Sequence, residues 1–260
     1  MKNKKGEKMI EVKNVDKSFE GNHVLKNVSA IFETGKTNMI IGQSGSGKTV
    51  LMKSIIGLHR IDNGKIEYDG RNLPQMRMSE IRILRREVGM LFQGSALFDS
   101  LSVLENVMYP LEMFFSGTKE EMIERAYFCL KHVSLEEKSF GLAPSEISGG
   151  MQKRVAIARA IALQPKYLFC DEPNSGLDPK TSLIIDKLIH EITHEFGITT
   201  IINSHDMNSV MEIGENIIFI EKGQKAWQGS KDDIFHVDNE ALNNFVFASQ
   251  LFKQVRKVNQ

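Results

Sequence analysis

Gly42-Gln43-Ser44-Gly45-Ser46-Gly47-Lys48-Thr49 is the stretch whose reading decides the fold. It fits G-x-x-x-x-G-K-[ST] in full. Just before it, 37–41 is a short apolar run of strand character, and after it Leu51, Met52, Ile55 and Ile56 recur at helical spacing. Strand, glycine-rich loop and helix are the context this motif requires. Glycines let the backbone bend until its N–H groups converge on phosphate oxygens, and the helix N-terminus adds a favourable dipole. Lys48 is then placed to reach the β- and γ-phosphates of ATP, and the Thr49 hydroxyl to ligate Mg²⁺. The alternative, an ordinary Gly/Ser turn, rarely produces the whole pattern in this setting.

Working outward, 10–32 reads as strand, with Val24, Val28, Ala30 and Phe32 alternating and a break near Glu20-Gly21-Asn22. Asp62-Asn63-Gly64 and Asp69-Gly70 turn the chain on either side of a further strand at 65–68, so this part predicts antiparallel sheet. Helical signals follow at 103–115 and 119–132, separated by Ser116-Gly117-Thr118. From there the chain alternates: helix 150–163, strand 166–170, helix 179–196, then strands 199–203 and 217–220. Unbroken apolar strands such as Tyr167-Leu168-Phe169-Cys170 suit a parallel sheet covered on both faces. The fold class is α/β: a phosphate-loop nucleotidase core with a mainly parallel sheet, an antiparallel β subdomain and a helical insert near 94–150. One domain is expected over 9–235, and 236–260 as a short tail with a helix carrying Phe245, Phe247 and Phe252, too short for an added regulatory domain.

Two further stretches carry chemistry. Four apolar residues, 167–170, deliver Asp171 and Glu172 to the C-terminal end of a buried strand, the end where open α/β sheets bind ligands. Asp171 would hold Mg²⁺, and Glu172, free of the metal, would accept a proton from the attacking water. The bland reading, in which both carboxylates cap the next helix, loses its appeal beside an intact phosphate loop. Ser148-Gly149-Gly150-Met151 at a helix start is a second anion site, with N–H groups and a hydroxyl pointing outward. One chain with two phosphate sites suggests a composite.

These motifs, in this order, resemble the ATP-binding subunits of ABC transporters over 9–229. The resemblance implies that Ser148 to Met151 of one copy close over the γ-phosphate held by another, in a dimer. It also implies an adenine-stacking role for Phe19, where Tyr is more usual, a contact from Gln93 to Mg²⁺ and water, an exchanged loop at Ser175-Gly176-Leu177-Asp178, and a γ-phosphate switch at His205. Asp178-Pro179 is at the same time a plain helix start. Ile147 stands where the family most often has Leu. The stretch 93–107 is similar to that of Mla/Mce-type systems, which move lipids between bacterial membranes. That likeness implies a lipid cargo, an integral membrane permease and an Mce-type lipid-binding partner, with an amino-acid or other small-solute importer as the alternative. Met108, Leu111, Met113, Phe114 and Phe115 are candidates for the permease-docking surface or for helix core.

Composition narrows the field. The chain has 33 basic and 33 acidic residues and a net charge of zero, which offers nothing to a nucleic-acid backbone. No stretch approaches the roughly 20 apolar residues of a membrane span, and no apolar segment follows the basic start 1–8, which reads as a frayed terminus. The expectation is a cytoplasmic protein held on the inner membrane through its permease. Cys129 and Cys170 lack metal-type spacing and suit a reducing compartment. His190-Glu191-Ile192-Thr193-His194 matches H-E-x-x-H, but helical spacing places Ile185, Leu188, Ile189, Ile192 and Phe196 on a core stripe and the histidines on a solvated face.

Overall fold

The computed structural model describes residues 9–247. In chain order these form β1 (Met9–Phe19), β2 (Asn22–Glu33), β3 (Thr37–Ile41), α1 (Lys48–Ile56), β4 (Asn63–Tyr68), β5 (Arg71–Asn72), α2 (Met78–Arg86), β6 (Val88–Leu91), α3 (Val103–Phe114), α4 (Lys119–His132), α5 (Gly149–Ile161), β7 (Tyr167–Asp171), α6 (Pro179–Glu195), β8 (Thr199–Ser204), α7 (Met207–Ile213), β9 (Asn216–Glu221), β10 (Gln224–Gly229) and α8 (Glu240–Val246). The chain divides into two compact units, one made of the residues up to Met78 and from Thr199 onward, the other of Ser79–Ile198. The start 1–8 and Phe252 of the expected tail helix lie outside the described residues; Phe245 lies within α8, and Phe247 is its C-cap.

In the first unit, β2-β1-β4-β5 form an antiparallel sheet. Its inward face carries Val28, Ala30 and Phe32 as strict alternation predicts, but not Val24. Leu25 is buried where Val24 was expected, because the β1–β2 register shifts between Val15 and Lys17, opposite a left-handed Asn27 (φ 53°). One inserted residue reverses the parity of what precedes it, here as far as the second shift between Lys17 and Ser18. The second sheet of this unit has β8, β3 and β9 running parallel, with β10 antiparallel at the edge. β3 is buried along its whole length. Its polar residue Asn38 is satisfied internally: Oδ1 accepts from Glu33 N at 2.7 Å and Asn216 Nδ2 at 2.7 Å, while Nδ2 donates to the Thr200 carbonyl at 3.0 Å. A buried amide left unpaired would cost about 1–3 kcal/mol, so this bonding ties the register of three strands to one side chain.

In the second unit, β6 and β7 pair in parallel, Leu91 opposite Cys170. α3 and α4 start where Ser102 and Thr118 stand three residues before Glu105 and Glu121, each pair closing a reciprocal capping box. The core of this unit includes Val107, Leu111, Leu130, Val155, Ile157 and Phe169. α6 buries Ile185, Leu188, Ile189 and Ile192 as its periodicity demands, but Phe196 is 38% exposed: it caps the helix and leans on the rings of Phe128 and His132 instead of joining the stripe. Cys129 and Cys170 are both buried free thiols, and burial pushes the Cys129 thiol up to about 11. No helix of the described residues is long and apolar enough to cross a membrane.

Candidate active site

In each unit several of the site residues stand at the C-terminal edge of its parallel strands. In the first, Ile41 is paired with Ser204, so the chain leaves β3 as the phosphate loop beside the end of β8, which His205 follows. His205 is exposed there, and Asp206 caps α7 by accepting from Asn208 N at 2.9 Å. In the second, Leu91 is paired with Cys170, so Gln93 and Glu172 leave the same edge two residues later.

The loop itself has the shape its motif requires. Gly42 adopts φ 149°, and a Cβ there would lie 2.2 Å from the Ile220 carbonyl oxygen, so any other residue would break the turn. Lys48 is buried, its ammonium donating to the carbonyls of Gly42 at 2.8 Å and Gln43 at 3.1 Å. Ser46 Oγ is buried without a hydrogen-bond partner, while Gln43, Ser44, Gly45 and Thr49 are exposed. A glycine cradle, an orphaned hydroxyl and a desolvated ammonium fit a polyphosphate group. Phe19, at the end of β1, is 38% exposed, with the Lys17 ammonium 5.0 Å from its ring centroid and His59 edge-on at 5.2 Å. That exposure leaves a ring face available for stacking; Lys17 and His59 were not legible as its neighbours. Burial, helped by the nearby Lys53 and Lys17, holds the His59 imidazole below its usual range, which favours the neutral ring.

In the second unit, Asp171 closes β7 and Glu172 follows in a left-handed conformation, φ 48°. Such a backbone costs a non-glycine residue on the order of 1–3 kcal/mol and is concentrated at functional sites. Gln93 Nε2 donates to Ser175 Oγ at 3.1 Å, so the structure joins the glutamine to the loop after Glu172. Asn174 Nδ2 donates to the buried Asp186 at 2.8 Å, and Asp178 caps α6 by accepting from Lys180 N and Thr181 N, both at 3.1 Å. The Thr181 hydrogen bonds hold the Asp178 carboxyl below the usual carboxylate range. Ser148 and Gly149 are exposed at the start of α5, where Ser148 Oγ accepts from Met151 N. Gly150 packs against α6: a Cβ there would meet Thr181 Cγ2 at 2.7 Å.

The family model described as ABC transporter matches residues 25–175, more than half of the chain. This chain belongs to the ABC transporter family. Relatives of this ABC ATPase include the methionine import ATP-binding protein MetN of Clostridium acetobutylicum, 40% identical over 87% of this chain and 70% of that one. MetN of Campylobacter jejuni is 34% identical over 95% of this chain and 78% of its own. Among solved structures, a dimeric ATP-binding cassette in a post-hydrolysis state with ADP and Pi superposes with TM-score 0.77 at 34% identity, over 85% of this chain and 98% of that one. The cbiO1 cassette of Clostridium perfringens gives 0.83 at 27% identity, over 97% and 98%. The ABC ATPase therefore binds and hydrolyses ATP, and its mixed α/β architecture is the cassette fold. The lipid systems suggested by 93–107 have no counterpart among these relatives, whose names are those of methionine importers.

The H-E-x-x-H pair stands on α6, its two imidazoles 4.4 Å apart edge to face, His194 exposed and His190 half-buried. Replacing both by Ala is expected to leave ATPase activity within about twofold, the usual effect of a surface change, and the purified protein to carry no stoichiometric zinc. Metal analysis of both forms decides it: one zinc per chain, lost from the double variant, overturns the solvated-face reading.

Proposed function

We propose that this ATPase powers the uptake of an amino acid or similarly small solute through an integral membrane permease, as one of a pair of cassettes on the inner face of the membrane. The observation that supports this cargo class is the naming of relatives 34% to 40% identical to the chain as methionine import ATP-binding proteins. A second reading, lipid transport with an Mce-type partner, is favoured by the likeness of 93–107; the side chains after it suit the permease that both readings require. Met108 and Leu111 are core, whereas Met113, Phe114 and Phe115 are 55%, 43% and 40% exposed and form an apolar end to α3 suited to docking a permease.

ATP supplies the phosphoryl group whose transfer to water drives transport. Lys48 and the loop N–H groups bind the phosphates, and Phe19 receives the base. Thr49 of the first unit, and Gln93 and Asp171 of the second, would each offer an oxygen of the kind that Mg²⁺ takes. The Glu172 carboxylate accepts the proton of the attacking water, His205 orients that water, and Ser148 to Met151 of a second copy complete the site.

Purifying the chain with its membrane partners separates the cargoes. A solute-binding protein whose amino-acid ligand stimulates ATP turnover is the expected result. Co-purifying phospholipid and a membrane-anchored lipid-binding protein, with no response to amino acids, would transfer the assignment to lipid.

A further inference from the structure

The second unit contains a charged side chain that the site described so far does not use. Lys153 lies on α5, five residues after Ser148, and is 4% exposed. Burying an ammonium is costly unless it is hydrogen-bonded, and Met or Leu would fill the same space without that cost. The ammonium of Lys153 donates to the main-chain carbonyl of Gln93. Six residues further along the helix, Arg159 donates to the carbonyls of Ser95 and Ala96, each at 2.7 Å. Ser95 and Ala96 are consecutive left-handed residues, φ 62° and 49°, a conformation that non-glycine residues hold only when their surroundings impose it. One helix thus clamps three carbonyls within four residues of loop, and from that loop the Gln93 amide reaches Ser175.

We infer that Lys153 is a positioning residue for ATP hydrolysis: by fixing the Gln93 carbonyl it aims the Gln93 side chain, and it links the helix that begins at Ser148 to the loop that follows Glu172. The inference rests on the role proposed above for Gln93 as an oxygen donor to the Mg²⁺ that ATP hydrolysis uses. Burial holds the lysine below its usual range, but the nearby Cys170 thiol opposes the shift. The carbonyl needs a donor, and Lys153 provides one from a helix whose N-terminus is itself a phosphate site. Lys153 touches no substrate on this reading, so its removal should act on turnover and not on nucleotide affinity.

The test is a double-mutant cycle on the full chain with Lys153→Met and Gln93→Ala. Lys153→Met is expected to lower kcat about tenfold or more, since misplacing a reacting group by about 1 Å can cost 10²-fold, with KM for ATP within about twofold. A merely structural lysine would lower Tm and spare kcat, so the fall in kcat is the readout that separates the two roles. Lys153→Gln, with a shorter donor, should fall between wild type and Met, and serves as the second variant if Met does not fold. In a Gln93→Ala chain there is no side chain left to aim, so adding Lys153→Met should cost less than about twofold more. Wild-type kcat in both Lys153 variants, or an undiminished loss in the Gln93→Ala background, overturns the inference. Wild-type turnover in Gln93→Ala alone removes the underlying role of Gln93, and the inference with it; an additive cycle in which Gln93→Ala is itself impaired removes only the inference about Lys153.

Discussion

Glu172→Gln is expected to bind ATP with near-normal affinity while turnover falls about 10²- to 10⁴-fold, the range that a general base contributes. The substitution keeps the size of the side chain but replaces the anionic carboxylate with a neutral amide that cannot take a proton. Glu172 sits one residue beyond Asp171 at the end of β7, in a strained left-handed turn whose carbonyl accepts from Ser175 N at 3.1 Å. Nothing in that placement gives it a phosphate to hold, so affinity should not depend on it. The variant should also accumulate as an ATP-bound dimer, because closure of two cassettes needs the γ-phosphate and reopening needs its loss. Equilibrium nucleotide binding, steady-state turnover and light scattering check the three parts. Turnover within a few-fold of wild type would take the base role away from Glu172.

The second large effect is complementation between two dead chains. Lys48→Ala removes the buried ammonium of the phosphate loop, and Ser148→Arg puts a bulky cation at an exposed helix start. Each homodimer should fall below about 1% of wild-type turnover, since each lesion recurs in both sites of a two-fold dimer. In a mixed dimer both lesions fall in one site. The other combines the intact Lys48 of one copy with the intact Ser148 of its partner. Turnover should therefore reappear on mixing, to about a quarter of the wild-type rate per chain if half of the dimers are mixed and their single sites work independently. Ser148 is exposed, so Ser148→Arg is expected to fold normally, and its own Lys48 should still bind nucleotide weakly. Mixed dimers that form yet neither bind nor hydrolyse ATP at a composite site would show that the sites are not shared.

The substitutions in both experiments were chosen from motifs legible without coordinates, and so was most of the framework that carries them. The phosphate loop, the Asp171-Glu172 strand end and the Ser148 helix start are local patterns: each needs particular residues at particular spacings because each is closed by backbone geometry over a few residues. The starts of α3 and α4 were equally legible, since a capping box is satisfied within four residues. Harder to read was whatever depended on parity. Val24 and Leu25 exchange faces because of a register shift whose cause, the left-handed Asn27, leaves no periodic signal. β6 and α2 were not foreseen either: four residues are too few to establish alternation, and α2 buries only Leu84.

The sequence by itself determined the chemistry and the order of the elements. It carried residue types suited to binding phosphate and moving a proton, the ends of the strands on which they stand, and the α/β class, because these follow from contacts between neighbours along the chain. Tertiary structure alone decided which of the remaining polar side chains serve the site. Asn38, Lys153 and Arg159 look like ordinary polar interruptions of apolar runs, yet all three are wholly or largely buried and bonded to segments far away in sequence. Their role arises from desolvation, which depends on everything packed around a group and leaves no periodicity of its own. The same holds for the exposed ends of α3, where Met113, Phe114 and Phe115 differ from Leu111 only in which way the helix faces its own core.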